Sequence, residues 1–199
     1  MLRRDSERQV HTNGNRCMAK PLIDPETFST GLTFDAFLQA GAAAQKLQQR
    51  RFDEEPDEFT LKYFHTLRDE KPPRAILLAS LRCNDCAWAV PYICRVLEEG
   101  GIRYGIFLKA DHPELMDGMT TRGKRSTPKL ALVDGEGYSI SQWGPRPAEI
   151  QRYVEQRAGR SDPSEWRPAV FEYYRERGVP ELRRELRETF ERATSLRDA

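Results

Sequence analysis

The chain has 199 residues, a length for one domain with additions, and its 32 basic against 31 acidic residues leave a formal charge of +1. That balance gives no electrostatic reason to expect nucleic acid or an anionic membrane as partner. Four cysteines are too few for a disulfide scaffold, no N-terminal apolar stretch has signal-peptide length, and no apolar run nears the ~18 residues of a membrane span, so the expected compartment is a reducing cytoplasm.

Residues 1–19 are polar and aperiodic and are expected to be a disordered tail in which Cys17 is a bystander. Met18, followed by Ala19-Lys20-Pro21, reads as a second candidate start, which would make the residues before it an upstream extension. Residues 20–73 are expected to be a helical extension. Phe34, Phe37, Leu38, Gly41, Ala44 and Leu47 recur at helical spacing behind a possible N-cap, Thr33, and predict one amphipathic helix over 33–51. Phe59, Tyr63, Phe64 and Leu67 form the stripe of a second helix, stopped by Lys71-Pro72-Pro73, with His65 on its surface.

Residues 74–159 carry the chemistry. An apolar run over 75–81 leads into Cys83-Asn84-Asp85-Cys86, and a helical pattern over 87–99 leads out. A strand that hands over to a helix sets the first cysteine at the helix N-terminus, where free N–H groups and the helix dipole favour a thiolate. Cys86 follows one turn later, placed to attack a mixed disulfide formed on Cys83. A zinc site would need two more ligands, and Cys17, Cys94, His11, His65 and His112 include no second close pair, so no metal is expected. After the Gly100-Gly101 stop, residues 102–108 read as a parallel inner strand, which a right-handed crossover would join to the first. His112 reads as a cap residue before a short helix, and residues 120–125 as a basic exposed loop. Asp134-Gly135-Glu136-Gly137 marks a hairpin between strands at 129–133 and 138–142. Pro147 opens a helix over 148–158, closed by Gly159.

Residues 75–159 resemble a thioredoxin-fold protein. The likeness is carried by the strand, Cys-x-x-Cys and helix, by Pro91 eight residues after Cys83, by Thr127-Pro128 opening the third strand, and by Trp143-Gly144 after the hairpin. It implies an α/β fold with a central mixed sheet flanked by helices, here with helical extensions at both ends. It also implies that Cys83 and Cys86 are catalytic, that Pro128 is cis, and that Thr127, Pro128, Trp143 and Gly144 contact an extended substrate, with plain core packing an equally open reading for Trp143. No organic cofactor is implied, since electrons pass through the dithiol, and the implied partners are protein or low-molecular-weight thiols and disulfides.

The sequence also departs from the family pattern. Arg82 stands where tryptophan is usual, and Asn84-Asp85 replace Gly-Pro. Arg82 and Asp85 are the expected tuners of the thiol, the cation favouring the thiolate and the carboxylate opposing it. Leu77 occupies the place of a buried acid that would take the resolving thiol's proton; Asp85 is a conjectural substitute. Arg146 is a cation near the dithiol edge, expected to be an exposed salt-bridge partner. Beyond residue 159, a C-terminal helical extension is expected over 160–199. Asp162 and Pro163 start a helix, Gly178 breaks it, and a last helix sets Leu182, Leu186, Phe190 and Ala193 on one side. Docking of that stripe on the same chain is preferred over a homodimer. Two functions compete at this stage, a cytoplasmic thiol–disulfide oxidoreductase and a non-catalytic interaction module with inert cysteines.

Overall fold

The computed structural model describes residues 20–42, 44–54, 56–67 and 72–195. The expected tail, with Cys17 and the alternative start, lies outside them. In chain order come α1 (Pro25–Ser29), α2 (Phe34–Gln39), α3 (Gln45–Asp53) and α4 (Glu58–Leu67), then β1 (Arg74–Ala79), α5 (Asn84–Glu99), β2 (Tyr104–Leu108) and α6 (Pro113–Asp117). The hairpin β3 (Lys129–Val133) and β4 (Ser139–Trp143) follows, then α7 (Ala148–Arg157), α8 (Pro163–Tyr173) and α9 (Val179–Ser195).

Among the described residues the sheet is four-stranded, in the order β2-β1-β3-β4. β1 runs parallel to β2 and antiparallel to β3, and β3 antiparallel to β4, so the sheet is mixed. Every residue of β1 is buried, because helices cover both faces. Alternate residues part accordingly: Ala75, Leu77 and Ala79 join a large core with α2, α4, α5, α7 and α9, while Ile76 and Leu78 join a smaller one with Ile23, Phe107, Leu115 and Met116.

The parallel strand β2 is an edge strand of the sheet, not an inner one. Its edge is covered by the chain before α2: Leu32 N donates to Ile106 O at 2.8 Å and Ile106 N to Leu32 O at 2.9 Å. Glycine makes this approach possible, since a Cβ on Gly105 would lie 2.9 Å from Gly31 Cα.

Two helix expectations also change. The single helix over 33–51 is α2 and α3, because Gly41 (φ 95°) and Ala44 (φ 55°) take left-handed conformations that a right-handed helix cannot propagate through. Thr33 does cap α2, its Oγ1 accepting from Ala36 N at 3.2 Å. At the other end, Gly178 does not break the chain's helical course. A π-helical turn, Tyr174–Gly178, carries α8 directly into α9. Glycine is needed there for space, since a Cβ on Gly178 would sit 2.3 Å from Trp88 Cζ2. The α9 stripe of Leu182, Leu186, Phe190 and Ala193 is buried within this chain, α9 packing on β4 and α4.

Candidate active site

The apolar strand β1 ends at Ala79, and a turn delivers Cys83 as the N-cap of α5. Its sulfur accepts from Cys86 N at 3.4 Å, so one of the helix's free N–H groups points at the thiol. Thr127-Pro128, joined by a cis peptide bond, lies alongside, with Cys83 Sγ 3.4 Å from the Thr127 carbonyl oxygen. Cys86 sits one turn deeper and is buried; Ser80 N donates to its sulfur at 3.4 Å. The Ser80 and Thr127 hydroxyls are 3.0 Å apart beneath the pair. Both thiols are free.

The two thiols differ electrostatically. The Cys86 thiol hydrogen-bonds to Cys83 and pulls its pKa down from the ordinary thiol value to about 6. Burial opposes this, the Cys86 backbone N–H assists, the Asp85 charge opposes, and Thr127 assists. Burial, reinforced by the hydrogen bond and charge of Cys83, holds Cys86 well above the usual thiol range. The pair is therefore an accessible thiolate backed by a buried, protonated thiol.

Several site residues fall where the sequence did not lead. Arg82 is exposed, and the cation that reaches the dithiol loop is Arg146. Arg146 is not an exposed partner but is enclosed with Asp85, their carboxylate and guanidinium 2.5 Å apart and the side chains 21% and 14% exposed. Asp85 also accepts a hydrogen bond from the Tyr174 hydroxyl, so its carboxylate is engaged away from Cys86. Leu77 is fully buried in the core. Trp143, expected to meet substrate, is 5% exposed, and its Nε1 donates to Glu185 of α9 at 2.7 Å. Gly144 (φ 106°) is required by the chain itself, because a Cβ there would lie 2.5 Å from Pro128 O. Its missing side chain thus makes room for the cis-proline loop. The following Gly144–Pro145 bond is also cis. Lys129 Nζ is buried and donates to Thr121 Oγ1 and Gly144 O, each at 3.2 Å, tying the basic loop to the segment that carries Arg146. His112 occupies the N-cap position of α6 without a side-chain capping bond, its ring edge-on to Phe107.

Comparison with known proteins agrees with this geometry. A thioredoxin family model matches residues 31–160, about two thirds of the chain. The chain belongs to this thioredoxin family. The crystal structure of a protein of unknown function from Pseudomonas aeruginosa is similar at a TM-score of 0.62 and 16% identity, over 83% of this chain and 95% of that one. An HIV epitope scaffold is similar at a TM-score of 0.56 and 15% identity, over 83% and 96%. Both likenesses concern the fold, and they span more of this chain than the family match, so the shared architecture reaches into its extensions. No curated protein matches the chain. Tyr174 and Glu185, which the structure brings to the site and its support, lie beyond the family match.

Proposed function

We propose that this thioredoxin-family protein is a thiol–disulfide oxidoreductase in which Cys83 attacks and Cys86 resolves. One juxtaposition carries this reading: a low-pKa cysteine caps α5, touches Thr127 of the cis-proline loop, and has a buried thiol one turn behind it. The Cys83 thiolate would attack a substrate disulfide, forming a mixed disulfide and releasing one substrate sulfur as thiolate. Cys86 would then lose its proton to solvent and attack Cys83 Sγ, forming the Cys83–Cys86 disulfide and releasing the second substrate thiolate. The substrate gains two electrons and the protein loses them; an external thiol reductant restores the dithiol. The Thr127 backbone beside Cys83 would pair with an extended substrate segment.

The test is equilibration in glutathione redox buffers with free thiols counted, and Cys86→Ser as control. A reversible two-electron transition between about −270 and −120 mV, lost in the variant, is the expected result. Thiols that never pair across that range would end the oxidoreductase reading and favour an interaction module.

A further inference from the structure

We propose that the C-terminal extension completes the active site: its Tyr174, together with Arg146 of the segment after β4, clamps Asp85, the carboxylate inside the dithiol loop, and so keeps Cys83 reactive. The proposal builds on the disulfide-exchange reading by assigning the residues that set the reactivity of its nucleophile.

Asp85 sits two residues after Cys83, at the first turn of α5. An unpaired carboxylate there would oppose the Cys83 thiolate, and its charge does act in that direction. The clamp sets a cation and a hydrogen-bond donor against that charge. Arg146, from the segment after β4, pairs with one carboxylate oxygen, and the Tyr174 hydroxyl donates to the other. Arg146 is itself anchored, its Nη1 donating to Gln151 Oε1 at 3.0 Å. The Tyr174 ring stacks on Trp88 of α5 with centroids 4.3 Å apart and planes 10° from parallel. The π-helical turn begins at Tyr174, and its last residue, Gly178, lies against the edge of the same indole. A π-turn in an otherwise α-helical run costs regular hydrogen bonding and commonly marks a functional position. Here it seats the hydroxyl on Asp85.

The groups that act on Cys83 are Cys86, Asp85 and Thr127, and its charge is also felt by Arg146 and Tyr174, the two groups held on Asp85. Neither clamp group changes charge while Cys83 titrates. Burial and the Asp85 carboxylate push the Tyr174 hydroxyl well up, keeping it a donor. For Arg146, burial works against the charge, but Asp85 and Tyr174 outweigh it and raise its pKa. The carboxylate that would hinder the nucleophile is thus the handle by which the extension attaches. Arg146 and Tyr174 act through Asp85 and are positioning residues.

The experiment measures iodoacetamide alkylation of Cys83 in the reduced full-length chain from pH 4.5 to 9, read by peptide mass spectrometry so that Cys17 does not contribute. In the native chain the rate should be half-maximal near pH 6. Arg146→Gln should move the half-point up by roughly one unit, slowing alkylation at pH 6 about fivefold. Tyr174→Phe, which keeps the ring on Trp88, should move it the same way by less, and Asp85→Asn should move it down. Arg146→Gln combined with Asp85→Asn should return to within about threefold of the native rate, because both charges have gone. Profiles of Arg146→Gln and Tyr174→Phe that superimpose on the native one, or a double variant as slow as Arg146→Gln alone, overturn the proposal. If Arg146→Gln does not fold, the opposite shifts of Asp85→Asn and Tyr174→Phe decide it. Alkylation does not require a working redox couple. The expected shifts without a redox transition would sink the oxidoreductase reading alone, and a transition without the shifts would sink the clamp alone.

Discussion

Cys83 and Cys86 are the same residue type in one helical turn, yet their environments drive them apart. Cys83 gains hydrogen bonds from a free helix N–H and from Cys86, whereas Cys86 is enclosed by β1, α5 and Thr127. The difference has a consequence for stability. The folded pKa of Cys83 lies below the unfolded one, so its contribution is fully present above the unfolded thiol range and is lost as pH falls through about 6. Cys86 is held protonated in the folded state over this range, and comparison with Cys83→Ser isolates the Cys83 thiol. The reduced protein should therefore gain on the order of 1–2 kcal/mol relative to Cys83→Ser as pH rises from about 6 to 8. Urea denaturation of both proteins at several pH values checks this; parallel pH dependences would mean the thiol is not ionised early. Cys94, fully buried in α5, should resist alkylation throughout the same range.

Among the elements, the π-helical turn decides the most. Alanine is the better helix former by about 1 kcal/mol, so propensity alone favours Gly178→Ala. The added Cβ, however, would lie 2.3 Å from Trp88 Cζ2 and 2.8 Å from Cε2, and the indole is buried and stacked on Tyr174, with no free direction to move. Overpacking should win, destabilising by about 1–3 kcal/mol. Tyr174 should be displaced as well, so the Cys83 alkylation rate at pH 6 should fall together with the denaturation midpoint. A neutral or stabilising Gly178→Ala would show that the turn yields easily. The N-terminal elements play a different part. Leu32 and Gly31 close the β2 edge, and α3 and α4 pack on α5, so they brace the dithiol helix.

For the molecule as a whole, Glu185 of α9 is the joint between extension and sheet. One oxygen accepts from Trp143 Nε1 and the other from Ala148 N at the start of α7, each at 2.7 Å. Glu185→Ala would leave the buried Trp143 N–H unpartnered and release the Ala148 N–H, and should cost roughly 1–3 kcal/mol in urea denaturation. Ending the chain at residue 160 removes this joint, the cover of Trp88 and the Tyr174 arm of the Asp85 clamp together. The shortened chain should lose cooperative unfolding and near-ultraviolet circular dichroism, and a native-like midpoint would show that the family-matched segment stands alone. The apolar stripe of α9 finds its cover on β4 and α4 within the chain. Among the described residues no helix is long and apolar enough to cross a membrane.

Local chemistry was readable without coordinates wherever it depends on near neighbours. The run into Cys83-Asn84-Asp85-Cys86, the hairpin turn, the cap at Thr33 and the helix start at Asp162-Pro163 all follow from residues within a few positions, and Thr127-Pro128 is cis as the family resemblance implies. The helix break between Gly41 and Ala44 was not readable, because a left-handed alanine carries no signal in an amphipathic stripe. Gly178 was misread for the related reason that glycine marks both chain breaks and close contacts, and only the indole against it tells them apart. Trp143 is held in the core by Glu185 of α9, and Arg146, expected at the surface, is enclosed with Asp85 of α5, since each takes a partner that a distant element presents. Tyr174 lies 89 positions from Asp85, and no local pattern links a tyrosine in a helical stripe to a carboxylate that far away. Sequence spacing thus specified the cysteine pair and its helix, while burial of Trp88 and Asp85 beneath a returning chain selected the groups that surround them.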